Sequence, residues 1–238
     1  MAAKIEVERD RIAVAWRDLQ ATKLYDVLAA TPLVIIYGAS VMRIAPALIG
    51  DLQRINVNSI DAIFAVSLLR EIASVAFVLL ALTFLLIRRR PQAKSKGWLP
   101  RFAAIAGTYL GIAVVWLPLQ PIGVALSLVS ITLIIGGLGV SIYALLHLGR
   151  SFSLMAEARN LVTDGPYARI RHPLYLGEAL SMVGLMLQYI SPLAVLVVCV
   201  QLGFQLLRMK NEELILGSMY PEYEPYRLRT ARLVPGVY

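Results

Sequence analysis

The stretch IGVALSLVSITLIIGGLGVSIYALL, from Ile122 to Leu146, runs for 25 residues without a charged side chain. A helix rising 1.5 Å per residue over that length covers more than the ~30 Å hydrocarbon core of a bilayer. Working outward, similar apolar runs occupy Val27 to Ile49 (broken by Arg43), Ile72 to Ile87, Phe102 to Leu117, Leu174 to Ile190 and Pro192 to Leu207. The composition agrees: 58% of residues are hydrophobic, 16% are charged, and the mean hydropathy is +0.70, against roughly half apolar and a quarter charged in soluble domains. The expected fold is therefore all-α, an integral membrane helical bundle of about six transmembrane helices. Its shorter runs must tilt or gain half-polar turns to span.

A net charge of +8 raises the question of nucleic acid, but the positions of the charges answer it. Segments 1–26, 88–101, 148–172 and 208–238 carry 20 of the 23 Lys and Arg residues. With six spans these four segments share one side of the membrane, which the positive-inside rule makes the cytoplasm. Both termini are then cytoplasmic, and the basic segments orient the protein and meet anionic lipid headgroups rather than nucleic acid. The first 26 residues hold five basic and five acidic residues and no apolar core, so no cleavable signal peptide is read there. Their alternation of charge with Ile5, Ile12, Val14, Trp16 and Leu19 suits a helix lying along the interface.

Arg70 and Glu71 interrupt an apolar stretch that begins near Ile60. Either Ile60 to Leu69 is interfacial and the second span starts near Ile72, or the two charges are buried as a pair; the first alternative is taken here because charge inside a bilayer is costly. Arg88-Arg89-Arg90-Pro91 ends that span, and Gln92 to Pro100 reads as a polar loop. The chain thus divides into residues 1–90, an anchor with two spans, and residues 91–238, a four-span unit with loop 148–172 and tail 208–238. Gly136, Gly137 and Gly139 allow close helix approach in the fourth span. Cys199 is read as a packing residue, and a lone cysteine excludes an intramolecular disulfide. His147 and His172 lie far apart without clustered carboxylates or thiolates, so no metal site is expected.

Chemistry concentrates in two places. Asn160-Leu-Val-Thr-Asp-Gly-Pro-Tyr-Ala-Arg-Ile-Arg-His-Pro-Leu-Tyr-Leu-Gly177 joins the fourth and fifth spans. Asp164-Gly165-Pro166 signals a turn, and Pro173 fits the first turn of a helix. Tyr167, Arg171, His172 and Tyr175 then stand where a loop enters a membrane helix, whose N-terminal N–H groups suit a carboxylate. The bland alternative makes them interface anchors and a cap. In the last span Gln201, Gln205, Arg208 and Glu212 recur at helical spacing and share one face. A polar stripe in an apolar helix must face the bundle interior or a wet cavity, either as a satisfied hydrogen-bond network or as a site.

Leu161-Val-Thr-Asp-Gly-Pro-Tyr-Ala-Arg-Ile-Arg-His-Pro-Leu-Tyr-Leu-Gly177, with Arg208-Met-Lys-Asn-Glu-Glu213, Tyr220-Pro-Glu-Tyr-Glu-Pro-Tyr226 and Pro235, resembles the isoprenylcysteine carboxyl methyltransferase family and its phospholipid methyltransferase relatives. The resemblance implies a membrane helical bundle whose C-terminal spans and cytoplasmic tail enclose S-adenosyl-L-methionine. It implies that Leu161, Val162, Tyr167, His172, Pro173, Leu174 and Tyr175 line the cofactor pocket. Glu212 would also contact the cofactor, and Arg208, with Gln205, would face a lipid-like or prenylated acceptor. Two departures stand out: Arg159 replaces the histidine that eukaryotic members carry two residues before the Leu-Val pair, and their upstream glutamine has no clear counterpart.

The expected activity is S-adenosylmethionine-dependent methyl transfer, with a carboxylate as first choice of acceptor because the planar fork of Arg208 matches it. A phospholipid amine and a thiol follow. A sterol-reductase-like NADPH oxidoreductase shares the Arg-His-Pro-x-Tyr-x-Gly stretch and is the rival enzyme class; a non-enzymatic membrane scaffold is the other alternative. Binding of S-adenosylmethionine, of NADPH or of neither separates the three.

Overall fold

A computed structural model of the chain describes residues 23–53, 62–89, 91–95, 97–118 and 120–236. Most of the interfacial helix expected over residues 1–26 lies outside them. The described helices are α1 (Lys23–Gln53), α2 (Ala62–Ile87), α3 (Leu99–Tyr109), α4 (Val124–Leu148), α5 (Pro173–Gln188), α6 (Pro192–Met219) and the short α7 (Tyr223–Arg229). A 3-10 turn, Leu110–Trp116, extends α3. The mostly helical expectation holds. The one sheet among the described residues is an antiparallel pair, β1 (Ala93–Lys94) with β2 (Glu157–Ala158).

Among the described residues three stretches are long and apolar enough to cross a membrane: Leu68–Ile87, Val124–Ser151 and Pro192–Met219. The expected span Val27 to Ile49 falls within the 31-residue α1, and two others differ for local reasons. Residues 102–117 split between α3 and its 3-10 extension, and α5 ends after 16 residues, where Tyr189 leaves helical geometry ahead of Pro192.

Residues 62–87 form one continuous helix, so the interfacial break before Ile72 is not observed. Arg70 and Glu71 instead pair at 3.7 Å within α2, Glu71 largely buried. Helix continuity leaves this pair within the apolar stretch Leu68–Ile87, where mutual compensation lowers the cost of charge.

The α1–α2 hairpin shares a core with the C-terminal elements: Tyr37, Val78, Ala81 and Leu85 pack with Ala144, Leu145, Phe152, Leu154, Tyr167 and Leu174. Helices α4 and α5 pack closely, since a Cβ on Gly137 would lie 2.5 Å from the Gly177 carbonyl oxygen, and one on Gly177 would lie 2.6 Å from that of Gly137. Of the three glycines expected to pack, only Gly137 does; Gly136 and Gly139 face open space. Cys199 is exposed on α6 and takes no part in the core.

At one end of the bundle the loops interlock. Arg89 N donates to Arg150 O at 2.8 Å, Gln92 N to Ala158 O at 2.7 Å, and Arg150 Nε to Ile87 O at 3.0 Å. The segments 88–101, 148–172 and 208–236 therefore meet at this end, which carries the candidate site.

Candidate active site

The segment from Ser153 to His172 is held by its own polar groups. Arg159 is buried and donates to Glu157 Oε2 at 2.5 Å and to the Arg89 carbonyl. It is a strut that ties the loop to the end of α2. Further along, Gly165 takes a positive φ of 55° that opens the turn Gly165–Ala168, and Tyr167 N closes on Asp164 O at 3.0 Å. Pro173 then begins α5, where the missing N–H costs no helical hydrogen bond.

A cavity of about 80 Å³ opens at the junction of this loop, α5, α6 and α7. Leu161, Val162, Tyr167, His172, Leu174, Tyr175, Arg208 and Glu212, eight of the site residues expected from the sequence, line it. Two others do not. Pro173 is buried in the first turn of α5, and Gln205 is turned deeper into the bundle, donating to Glu178 Oε2 at 3.1 Å. The sequence reading assigned no role to Asn160, Ser153 and Leu216, nor to Tyr223 and Tyr226 of the tail, which line the cavity as well, with Leu148 and Arg171. The tail tyrosines stood in the Tyr220 to Tyr226 motif, but only the folded tail shows that they return to the cavity.

The lower part of the polar stripe on α6 forms the cavity's charged side. Arg208 is 2% exposed. Its Nη1 donates to Thr108 Oγ1 at 3.0 Å, Nη2 to Ser153 O at 3.3 Å, and its guanidinium carbon lies 4.7 Å from the centre of the Tyr175 ring. Nε sits 3.4 Å from Glu212 Oε1, the same oxygen that accepts the Tyr175 hydroxyl. Glu212 thus has one oxygen committed, while Oε2 lies 4.0 Å from His172 Nδ1. Gln201, at the top of the stripe, donates to Gly107 O at 3.2 Å and lies outside this cavity.

Glu213 organises the floor. It accepts from Arg171 Nε at 2.8 Å and lies 3.2 Å from His172 Nε2. Arg232 reaches it from the tail, and Arg171 continues to the carbonyls of Arg227 and Thr230. Tyr226 locks α7 by donating from its hydroxyl to Tyr167 O at 2.8 Å. Burial pushes the Tyr226 phenol up to about 12, against the opposing pull of Arg171 and Arg229, so it remains a donor at neutral pH. Burial raises the Tyr167 phenol as well.

The donor set suits a molecule with an apolar aromatic part and a charged part. Leu161, Val162, Leu174 and Leu216 offer apolar surface, Tyr167 and Tyr175 offer ring faces to a cation, and Glu212 offers a carboxylate to an ammonium or hydroxyl.

Residues 122–223 match the phospholipid methyltransferase family. A cobalt-zinc-cadmium resistance protein, CzcN, of Cupriavidus metallidurans is 34% identical over 106 residues, 43% of this chain and 49% of that protein. A nickel-cobalt-cadmium resistance protein, NccN, of Alcaligenes xylosoxydans xylosoxydans is 33% identical over 81 residues, 33% of this chain and 38% of that one. The chain therefore spans half or less of the length of these relatives. Among solved structures, the eukaryotic intramembrane Ras methyltransferase ICMT (isoprenylcysteine carboxyl methyltransferase) aligns at 20% identity with a TM-score of 0.44, covering 71% of this chain and 67% of that one. The resemblance read in the Gly-Pro-Tyr and Arg-His-Pro-Leu-Tyr-Leu-Gly motifs is supported: the stretch that carries them lies within residues 122–223, which are similar to the phospholipid methyltransferase family.

Proposed function

We propose that this protein is an S-adenosylmethionine-dependent methyltransferase acting on a lipid-like acceptor within the membrane. The observation that carries the reading is the convergence of Leu161, Val162, Tyr167, His172, Leu174, Tyr175, Arg208 and Glu212 on one cavity at the end of the bundle. When bound, S-adenosylmethionine supplies an electrophilic methyl carbon on a positively charged sulfur. Leu161, Val162 and Leu174 would hold its adenine, the Tyr175 ring would face its cationic part, and Glu212 would take its ammonium or a ribose hydroxyl. The chain itself contributes position and dryness. Methyl transfer asks little acid–base chemistry of the protein, so an aligned pair of reactants and exclusion of water supply much of the rate.

The carboxylate reading of the acceptor rests on Arg208, whose fork would pair with it. In the fold its two Nη atoms already serve Thr108 and Ser153, and Nε, which makes no hydrogen bond, is ion-paired with Glu212 at 3.4 Å. Those commitments favour the phospholipid-amine alternative, which requires no free guanidinium edge. The gathering of the basic segments 88–101, 148–172 and 208–236 at the site end supports a cytoplasmic face for the cofactor entrance and for the C-terminal tail.

Calorimetric titration of the detergent-purified protein tests the proposal, with S-adenosylmethionine, an NADPH control, and the variants His172→Ala and Glu212→Ala. Saturable binding that the variants lose supports it. Binding of NADPH alone would move the chain to the reductase class, and binding of neither to the scaffold class.

A further inference from the structure

A second cavity, of about 620 Å³, lies deeper in the bundle, between the α1–α2 hairpin and α3, α4, α5 and α6. Arg208 stands at the partition between the two: it lines the first, while Thr108, which accepts its hydrogen bond, lines the second. The hairpin that forms one wall lies outside residues 122–223, the part matched to the family.

The chamber carries a carboxylate toward each end, and its wall between them mixes apolar side chains with polar ones such as Ser181 and Gln201. Glu178 lies five residues into α5, roughly 8 Å from the site end. Glu71 lies sixteen residues before the end of α2 at Ile87, which meets the site-end loops, and so stands roughly 24 Å from that end. Roughly 15 Å of chamber therefore separate the two carboxylates, with Phe77, Val78, Ile134 and Leu138 on the intervening wall.

Three oxygens of residues on this wall are buried without a hydrogen-bond partner: Glu71 Oε2, Gln201 Oε1 and the Tyr109 hydroxyl, of which the first two concern the ligand's donors. The Arg70 pairing reaches only the other Glu71 oxygen, and Gln201 spends its amide nitrogen on Gly107 O. An ionised carboxylate and an amide oxygen can only accept, so whatever satisfies them must bring N–H or O–H donors. Leaving such atoms unmatched in an apolar surround is unfavourable.

We propose that this chamber binds an elongated amphiphile with two polar ends, its reacting head beside Glu178 and Arg208 and a hydroxyl or amine at its far end donating to Glu71 Oε2. The Arg70–Glu71 pair is thus a selectivity subsite contributed by the N-terminal hairpin. Phe77, Val78, Ile134 and Leu138 take the hydrocarbon, and Gln201 accepts from a donor nearer the head. Only the identity of the head as methyl acceptor rests on the methyltransferase reading.

The test uses the full chain in detergent and two matched pairs of probes: dodecanoic acid against ω-hydroxydodecanoic acid, and dodecylamine against its ω-hydroxy analogue. Binding is measured by native mass spectrometry without S-adenosylmethionine, for the wild type, Glu71→Leu and Glu71→Gln. In the better-bound pair the ω-hydroxy compound is expected to bind about tenfold tighter to the wild type, the range of one hydrogen bond to a charged group. Glu71→Leu should erase that preference and leave the plain chain's affinity within about twofold, and Glu71→Gln should weaken the preference. Equal affinities in the wild type, or a preference that survives in the variants, overturn the proposal. Should Glu71→Leu fail to fold, the wild type and Glu71→Gln decide the matter. A failed S-adenosylmethionine titration beside an intact ω-hydroxy preference would sink the methyltransferase reading and leave the chamber's ligand class standing.

Discussion

Arg232 in the tail grips Glu213 in α6 with two hydrogen bonds, Nη2 to Oε2 at 2.5 Å and Nε to Oε1 at 3.0 Å. Arg171 binds the same carboxylate from the loop before α5. Glu213 is 8% exposed, so deleting it strands these guanidinium groups in a poorly solvated place. Breaking such a network from one side costs about 3 kcal/mol or more. Glu213→Ala is therefore expected to lower the thermal midpoint in detergent markedly. Arg232→Ala, which leaves Arg171 in place, should cost about 1 kcal/mol and instead speed proteolysis at Arg227 and Arg229. An unchanged midpoint for Glu213→Ala would show that the clasp does not hold the site end together.

Tyr175 aims Glu212 by donating to its Oε1 while its ring lies under Arg208. Tyr175→Phe keeps the ring and removes the donor. If Glu212 holds the cofactor, the variant should bind S-adenosylmethionine about fivefold more weakly, the worth of roughly 1 kcal/mol, with folding preserved. Titration of this variant beside Glu212→Ala checks the point; wild-type affinity in Tyr175→Phe would mean that Glu212 needs no such alignment.

The loop and stripe were legible in the sequence because their residues sit close together or recur at helical spacing. Tyr167, His172 and Tyr175 fall within nine consecutive positions, and Arg208 and Glu212 lie one turn apart on α6. Periodicity assigns a face but not a depth, which is why Gln205 was expected in the cavity and is found on Glu178. Glu213 is one residue from Glu212, about 100° round the helix, and so lay off the stripe. Its partners Arg171 and Arg232 come from separate segments that only the fold joins. Span count was harder still, since an apolar run does not announce that α3 tightens to a 3-10 turn at Leu110 or that α5 stops at Gln188.

The tail should respond to alkaline pH through Tyr226. Its phenol titrates at about 12 in the fold against about 10 in an unfolded chain. A raised pKa of this kind contributes stability that is fully present below pH ~10 and lost as pH climbs through ~12, so no change is expected between pH 7 and 9 from this group. Tyrosinate absorbance followed during alkaline titration should show a late-titrating phenol that is missing in Tyr226→Phe. Tail release in the wild type at pH 8 would refute this account of the Tyr226–Tyr167 lock.

Adjacent glycines on α4 make a paired experiment on how the site is carried. A Cβ at Gly137 would lie 2.4 Å from Ser181 Oγ and 2.5 Å from the Gly177 carbonyl, whereas one at Gly136 meets nothing within 4 Å. Backbone cannot yield as a flexible side chain does, so Gly137→Ala must push α5 away from α4, at about 1–3 kcal/mol for an overpacked contact. Gly136→Ala relieves the flexibility of a glycine within a helix and should be neutral or stabilising by about 0.5–1 kcal/mol. Because α5 begins with Pro173, Leu174 and Tyr175, its displacement should also weaken S-adenosylmethionine binding in Gly137→Ala alone. Thermal midpoints and titrations of the two variants decide this: equal behaviour would show that close α4–α5 contact does not set the position of the site.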